Sequence, residues 1–150
     1  MAGPDDAPAV AGLLAEFRDW LEAEEPPLDR LGAAVERLLA DPDTEYLLAA
    51  SAGTADPAAV CQLRYRFGVW YDAEDCLLED LFVRDSARGA GLGRALVEAA
   101  FERARQRGCR RIELDTNEAN TAAVDLYESL GFRTFSERFG GRDLYMQRKL

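Results

Sequence analysis

Three groups of residues in this 150-residue chain have the types and spacing for chemistry. In Arg88-Gly89-Ala90-Gly91-Leu92-Gly93-Arg94, three glycines alternate between two arginines. Glycine admits a left-handed backbone and lets a ligand approach main-chain amides with no Cβ in the way. If a helix starts at this turn, its first N–H groups lack intrahelical partners and carry the positive end of the helix dipole. An anion suits such a place, a pyrophosphate above all, and Arg88 and Arg94 flank it for charge-assisted contacts. Shortly before the turn come two adjacent carboxylates, Glu79 and Asp80, and well after it comes Tyr127. The chain has no histidine, so proton transfer falls to carboxylate, phenol or water.

The neighbouring elements decide what these residues face. Cys76 to Val83 reads as a largely buried strand, and Leu92, Ala95, Leu96, Ala99, Ala100 and Ala104 recur at helical spacing, so the glycines fall at a strand-to-helix turn. A dinucleotide fingerprint would need a glycine where Leu96 stands, and a P-loop needs Gly-Lys-Ser/Thr, whereas the only lysine is Lys149. Further on, Asn120 is a good N-cap. Ala123, Leu126, Tyr127 and Leu130 line one helical face, Gly131 supplies a left-handed helix end, and Phe132 begins a strand.

With both blocks in this order, the chain resembles the GCN5-related N-acetyltransferases (GNAT). Arg88-x-x-Gly91-x-Gly93 matches that family's Arg/Gln-x-x-Gly-x-Gly/Ala signature, and Asn120 to Phe132 matches its Asn-x-x-Ala-x-x-x-Tyr-x-x-x-Gly-Phe block. The resemblance is good from about Leu77 to Phe132. It implies that the amides of Arg88, Gly89, Ala90, Gly91, Leu92, Gly93 and Arg94 hold the pyrophosphate of acetyl-CoA, with Asn120 in the cofactor-binding set. It also implies that Leu81-Phe82-Val83 pairs with the pantetheine arm much as an added strand would. The reaction implied is direct attack of an amine on the thioester, with Tyr127 protonating the departing sulfur. The stretch Leu78-Glu79-Asp80-Leu81-Phe82-Val83 further resembles the Leu-Glu-Asp-Phe-Phe-Val of the polyamine (spermidine/spermine) acetyltransferase branch. That resemblance implies Glu79 as base through water and Asp80 as the amine-binding group.

A regular strand sends adjacent side chains to opposite faces, so Glu79 and Asp80 share a cleft only across a β-bulge, a device frequent next to active sites. Each candidate also has a structural alternative. Glu79 would suit a strand-edge ion pair with Arg64 or Arg66, Tyr127 a core position with a satisfied hydroxyl, and the glycine turn a helix entry without ligand. Tyr65, Trp70 and Tyr71 would either wall the acceptor pocket or belong to the core.

Composition narrows the function classes. Eighteen basic against twenty-eight acidic residues leave a net charge of −10, which disfavours nucleic acid and anionic membrane and attracts cations. The acid surplus also serves solubility. Cys61, Cys76 and Cys109 are odd in number, well separated and unaccompanied by histidine, so buried free thiols are expected and no metal site. No apolar run approaches a membrane span and the acidic start is no secretory signal, so a cytoplasmic protein is expected.

Helices are expected from Asp5 or Asp6 to Leu21 and from Leu28 to Ala40. Strands are expected over 46–50, 60–70 and 76–83; then come the glycine-turn helix, a strand over 110–116, the Asn120 helix, and strands Arg133 to Arg138 and Asp143 to Arg148 joined at Gly140-Gly141. This order indicates one α+β (mixed α/β) domain over 1–150, with a mostly antiparallel sheet flanked by helices. The GNAT resemblance adds a splayed strand pair. It also implies a strand before the first helix, for which the sequence leaves almost no room. Loss of that strand would expose a sheet edge of the kind a homodimer covers.

The reading that follows is acetyl-CoA-dependent acetylation of a primary amine on a small cationic molecule, polyamine- or diamine-like. Its alternatives are a protein N-terminal or lysine acetyltransferase, and a non-catalytic acyl-CoA-binding module.

Overall fold

A computed structural model describes residues 1–136 and 140–148. The chain divides into two compact units, Met1–Ile112 and Glu113–Leu150.

In the first unit a 3-10 turn, Pro4–Asp6, leads into α1 (Ala7–Trp20), followed by α2 (Leu28–Leu39). Asp6 occupies the N-cap position of α1, yet its carboxylate accepts from Gly3 N–H at 2.8 Å and ties the 3-10 turn instead. Leu21, expected on the helix, falls just past its end and is exposed.

Strands β1 (Thr44–Ala50), β2 (Pro57–Gly68) and β3 (Ala73–Val83) form an antiparallel meander, and β4 (Ile112–Glu113) completes the order β1-β2-β3-β4. On the outer side of β3, Arg110 N–H donates to Glu74 O at 2.9 Å and Cys76 N–H to Arg111 O at 3.0 Å. These bonds advance the same way along both chains, the sense of a parallel pair, so the sheet is mixed. The strand expected over 110–116 is only these two residues.

Alternation assigns the faces. Tyr46, Val60 and Phe82 pack with Ala7, Val10, Ala11 and Leu13 of α1 and Val35 of α2. The opposite face meets α3 (Leu92–Gln106), whose Leu96, Val97, Ala100 and Ala104 are buried. There Arg103 donates twice to Glu45, at 2.7 and 2.8 Å, Tyr65 O–H donates to the same carboxylate at 3.0 Å, and Arg107 lies 4.0 Å over the Tyr65 ring. Arg103 holds the Glu45 carboxyl below its ordinary range, with Tyr65 assisting, although burial opposes the shift.

The second unit contains α4 (Thr121–Ser129). The two expected closing strands are not formed among the described residues. Phe135 and Arg142 make an isolated antiparallel bridge, Ser136 N–H donates to Gly141 O at 2.7 Å and Asp143 N–H to Thr134 O at 2.8 Å, and 144–148 are not in a strand. Gly140 and Gly141 do turn the chain with positive φ. Glu137 and Arg138, the end of the first expected strand, lie outside the described residues.

Candidate active site

The register of β2 against β3 breaks once. Gln62 faces Asp80, but the next residue of β2, Leu63, faces Leu78, so Glu79 is the extra residue of a β-bulge. Leu78 and Leu81 lie opposite Leu63 and Cys61, which are two apart on β2 and therefore share one face. Counted forward from Leu78, Glu79 points to the other face; counted back from Leu81, Asp80 does too. Both carboxylates thus project from the same side of the sheet, Glu79 exposed and Asp80 half-buried. Arg64 reaches Asp41 at 3.9 Å, and no ion pair joins it to Glu79 among the described residues.

Beyond the bulge, Leu81, Phe82 and Val83 stay paired with Cys61, Val60 and Ala59 on their inner edge. The Phe82 side chain belongs to the core, stacked on Phe17 at 5.4 Å between centroids, so any contact Phe82 makes with a ligand is through its main chain. The strand end is anchored from both sides. Arg84 N–H donates to Ala58 O at 2.9 Å, and its guanidinium grips Glu16 of α1 at 2.7 and 2.9 Å and reaches Asp56 at 3.5 Å. Nothing in the local sequence announced the Arg84–Glu16 tie, because its partners are distant along the chain.

After a 3-10 turn, Asp85–Ala87, the chain enters the glycine turn. Gly89 and Gly91 have φ of +78° and +82°, the left-handed region where glycine is nearly free of cost. Gly91 is the N-cap of α3, has no side-chain cap, and accepts the first helical bond, Ala95 N–H to Gly91 O at 3.0 Å. The amides of Leu92, Gly93 and Arg94 therefore precede the helical ladder. A Cβ built at Gly89 or Gly91 meets nothing within 4 Å, so the main chain of the turn is open on that side, as close approach of an anionic group requires.

Gly93 is different, since it lies in the first turn of α3 and needs no left-handed backbone. Arg88 is already engaged: it pairs with Asp85 at 2.9 Å, donates to Val83 O at 3.2 Å, and lies 5.5 Å over the Trp20 ring. Arg94 reaches Glu98 at 3.9 Å. Ala90 is exposed in the turn and Leu92 half-buried at the helix start.

Of the aromatic candidates, Tyr65 is on the α3 face, away from the two carboxylates, and is a structural hydrogen-bond donor. Trp70 is 92% exposed and Tyr71 half-exposed in the hairpin turn, at the opposite end of β3 from Leu81. None of the three walls the bulge.

In the second unit, Asn120 caps α4 as expected, its side chain accepting from Ala123 N–H at 3.4 Å. Tyr127 is buried on that helix with its ring edge-on to Phe132 at 5.7 Å, and Gly131 ends the helix with φ of +91°.

Residues 13–132 match the model of the acetyltransferase (GNAT) family. The chain belongs to that family. A GNAT relative, the thialysine N-epsilon-acetyltransferase of Sus scrofa, is 32% identical over 91 residues, 57% of this chain and 52% of its own length. The mycothiol acetyltransferase of Thermobispora bispora is 60% identical over 45 residues, 30% of this chain and 15% of that protein. The chain therefore spans about half the length of the first relative and a small part of the second. A crystal structure from Arthrobacter sp. FB24 that carries an acetyltransferase name superposes with a TM-score of 0.88 at 34% identity, covering 99% of this chain and 93% of that one.

Two features of this GNAT chain bear on other chemistry. Cys61 and Cys76 are buried, and burial pushes the Cys61 and Cys109 thiols up, away from thiolate. No described helix is long and apolar enough to cross a membrane.

Proposed function

We propose that this chain is an acetyl-CoA-dependent N-acetyltransferase whose acceptor is a primary amine on a small cationic molecule of the polyamine or diamine kind. The observation that supports the acceptor class is the bulge at Glu79, which turns two carboxylates to one side of the sheet immediately before the segment implied for the pantetheine arm. Two negative charges side by side suit an ammonium group, and the net charge of −10 adds long-range attraction. The name of the thialysine relative places its own reaction on an ε-amino group.

Acetyl-CoA would supply the activated thioester. The amides at the start of α3 and the main chain of Leu81-Phe82-Val83 would hold it, while Arg88 stays tied to Asp85 and shapes the turn. An alkylamine with a pKa near ~10.4 is mostly protonated at neutral pH and must lose a proton before it attacks. Glu79, exposed on the bulge, takes that proton through water, and Asp80 binds and orients the ammonium group. By the family resemblance, Tyr127 would be the residue that gives a proton to the departing sulfur. A phenol near ~10 is a weaker acid than a thiol near ~8.5, so this transfer depends on ordering within the site. The enzyme would work as a cytoplasmic protein on small molecules rather than on nucleic acid or membrane.

The test is release of free CoA thiol from acetyl-CoA over a panel of polyamines, diamines, amino sugars, amino acids and peptides. Turnover confined to the cationic small amines is expected. Turnover of peptides or amino acids alone would overturn the acceptor class, and binding of acetyl-CoA without turnover of any amine would overturn the enzyme.

A further inference from the structure

Tyr46, Gln62 and Asp80 stand directly opposite one another on β1, β2 and β3, so three polar side chains form one row across the face that carries Glu79. The next row on that face is Leu48, Val60 and Phe82, all apolar. Tyr46 is 1% exposed, and its Oη is buried with no hydrogen-bond partner among the described residues. The helices that cover it contribute Val10, Leu13 and Val35 to its cluster, none able to receive a hydroxyl proton.

Arg64, two residues from Gln62 on the same face, has the same irregularity: its Nε is buried without a partner among the described residues, although its other end reaches Asp41. Buried polar atoms are normally satisfied by protein or by an ordered water. Two such orphans beside a carboxylate pair call for a shared partner. The described charged groups that act on the Tyr46 phenol are Asp80 and Glu79 from β3 and Arg64 from β2. Burial first, and then the two carboxylates, push the phenol up and keep it neutral, while Arg64 opposes them.

This inference rests on the reading of Glu79 and Asp80 as the amine site. We propose that Tyr46 is a positioning residue for the acceptor amine: its hydroxyl and Arg64 Nε donate to one buried water, which donates in turn to the Asp80 and Glu79 carboxylates. Such a water has two donors and two acceptors and is fully bonded. It holds both carboxylates in place and favours their ionised form, which an ammonium acceptor requires. No sequence pattern marks Tyr46, since only strand register brings it into the row of Asp80.

The experiment compares Tyr46→Phe with Asp80→Asn and wild type. Tyr46→Phe keeps the ring and removes the donor. The amine KM is expected to rise about 5–30-fold with the acetyl-CoA KM unchanged. The acid limb of kcat/KM should move to higher pH, because a carboxylate that loses a donor binds its proton more tightly. A melt gives a readout that needs no activity. Loss of a bonded hydroxyl should lower Tm by about 2–4 °C, whereas removal of an unbonded one should raise it. An unchanged amine KM and acid limb in Tyr46→Phe, or a raised Tm, would overturn the proposal. If Tyr46→Phe is silent while Asp80→Asn raises the amine KM, only Tyr46's role fails. If Asp80→Asn is silent too, the acceptor reading falls and takes this inference with it.

Discussion

Leu78 and Leu81 project from the same face of β3 although two residues separate them, because Glu79 has no counterpart on β2. Regular alternation would have put these leucines on opposite faces and divided Glu79 from Asp80. One inserted residue turns an ordinary acidic dipeptide into a pair of carboxylates that project from the same side of the sheet.

Neutralising Asp80 as Asn is expected to raise KM for a diamine or polyamine more than it lowers kcat, since binding common to ground and transition state is what is lost. The wild-type KM should rise with salt, because attraction at a partly exposed site is screened. Steady-state kinetics over a range of ionic strength check both.

Glu79→Gln should act on the other constant. With the base removed, kcat falls, and part of the loss returns at higher pH as free amine becomes available. A kcat profile that keeps its wild-type size and shape would assign Glu79 to binding instead.

For the cofactor turn, Gly91→Val is expected to abolish acetyl-CoA binding. Space is not the obstacle, since a Cβ there meets nothing. The obstacle is φ of +82°, where an L side chain costs about 1–2 kcal/mol, so the turn would rearrange and withdraw its amides. Calorimetry with acetyl-CoA, alongside a melt showing a folded variant, is the measurement; wild-type affinity would make the turn purely structural.

Tyr127→Phe should lower kcat by about 10–10⁴-fold with little change in acetyl-CoA affinity, as loss of a general acid would. The edge-on contact with Phe132 survives the substitution, so a change in kcat would report the hydroxyl and not the packing. Wild-type turnover would leave Tyr127 as a core residue.

Stability should respond to acid through Glu45. Its carboxyl titrates below the ordinary 4.5, chiefly because Arg103 donates to it. A depressed folded-state value means that the stabilisation is present above the unfolded value and is lost as pH falls through the folded one. Glu45→Gln should therefore cost about 1–3 kcal/mol at neutral pH. The gap to wild type should close below pH 4.5, as followed by thermal melts in an acid series.

The sequence by itself determined the local features: the glycine turn with its left-handed Gly91, the Asn120 cap and Gly131 end of α4, the apolar stripe of α1, and three of the strands. The turn, the cap and the helix end are set by contacts within a few residues, such as a side chain bonding a nearby amide or a backbone angle that only glycine tolerates cheaply, and the stripe and strands are marked by their periodicity. The closing strands expected over 133–138 and 143–148 show the limit, because alternating residues permit a ladder but do not supply a partner for it. What only the tertiary structure decided is register. The bulge at Glu79, the row from Tyr46 through Gln62 to Asp80, and the grip of Arg84 on Glu16 all join residues far apart in the chain. A slip of one residue between strands changes which side chains share a face while leaving every local propensity as it was. That face is chosen by burying Tyr46, Val60 and Phe82 beneath α1 and α2, a balance struck over the whole sheet.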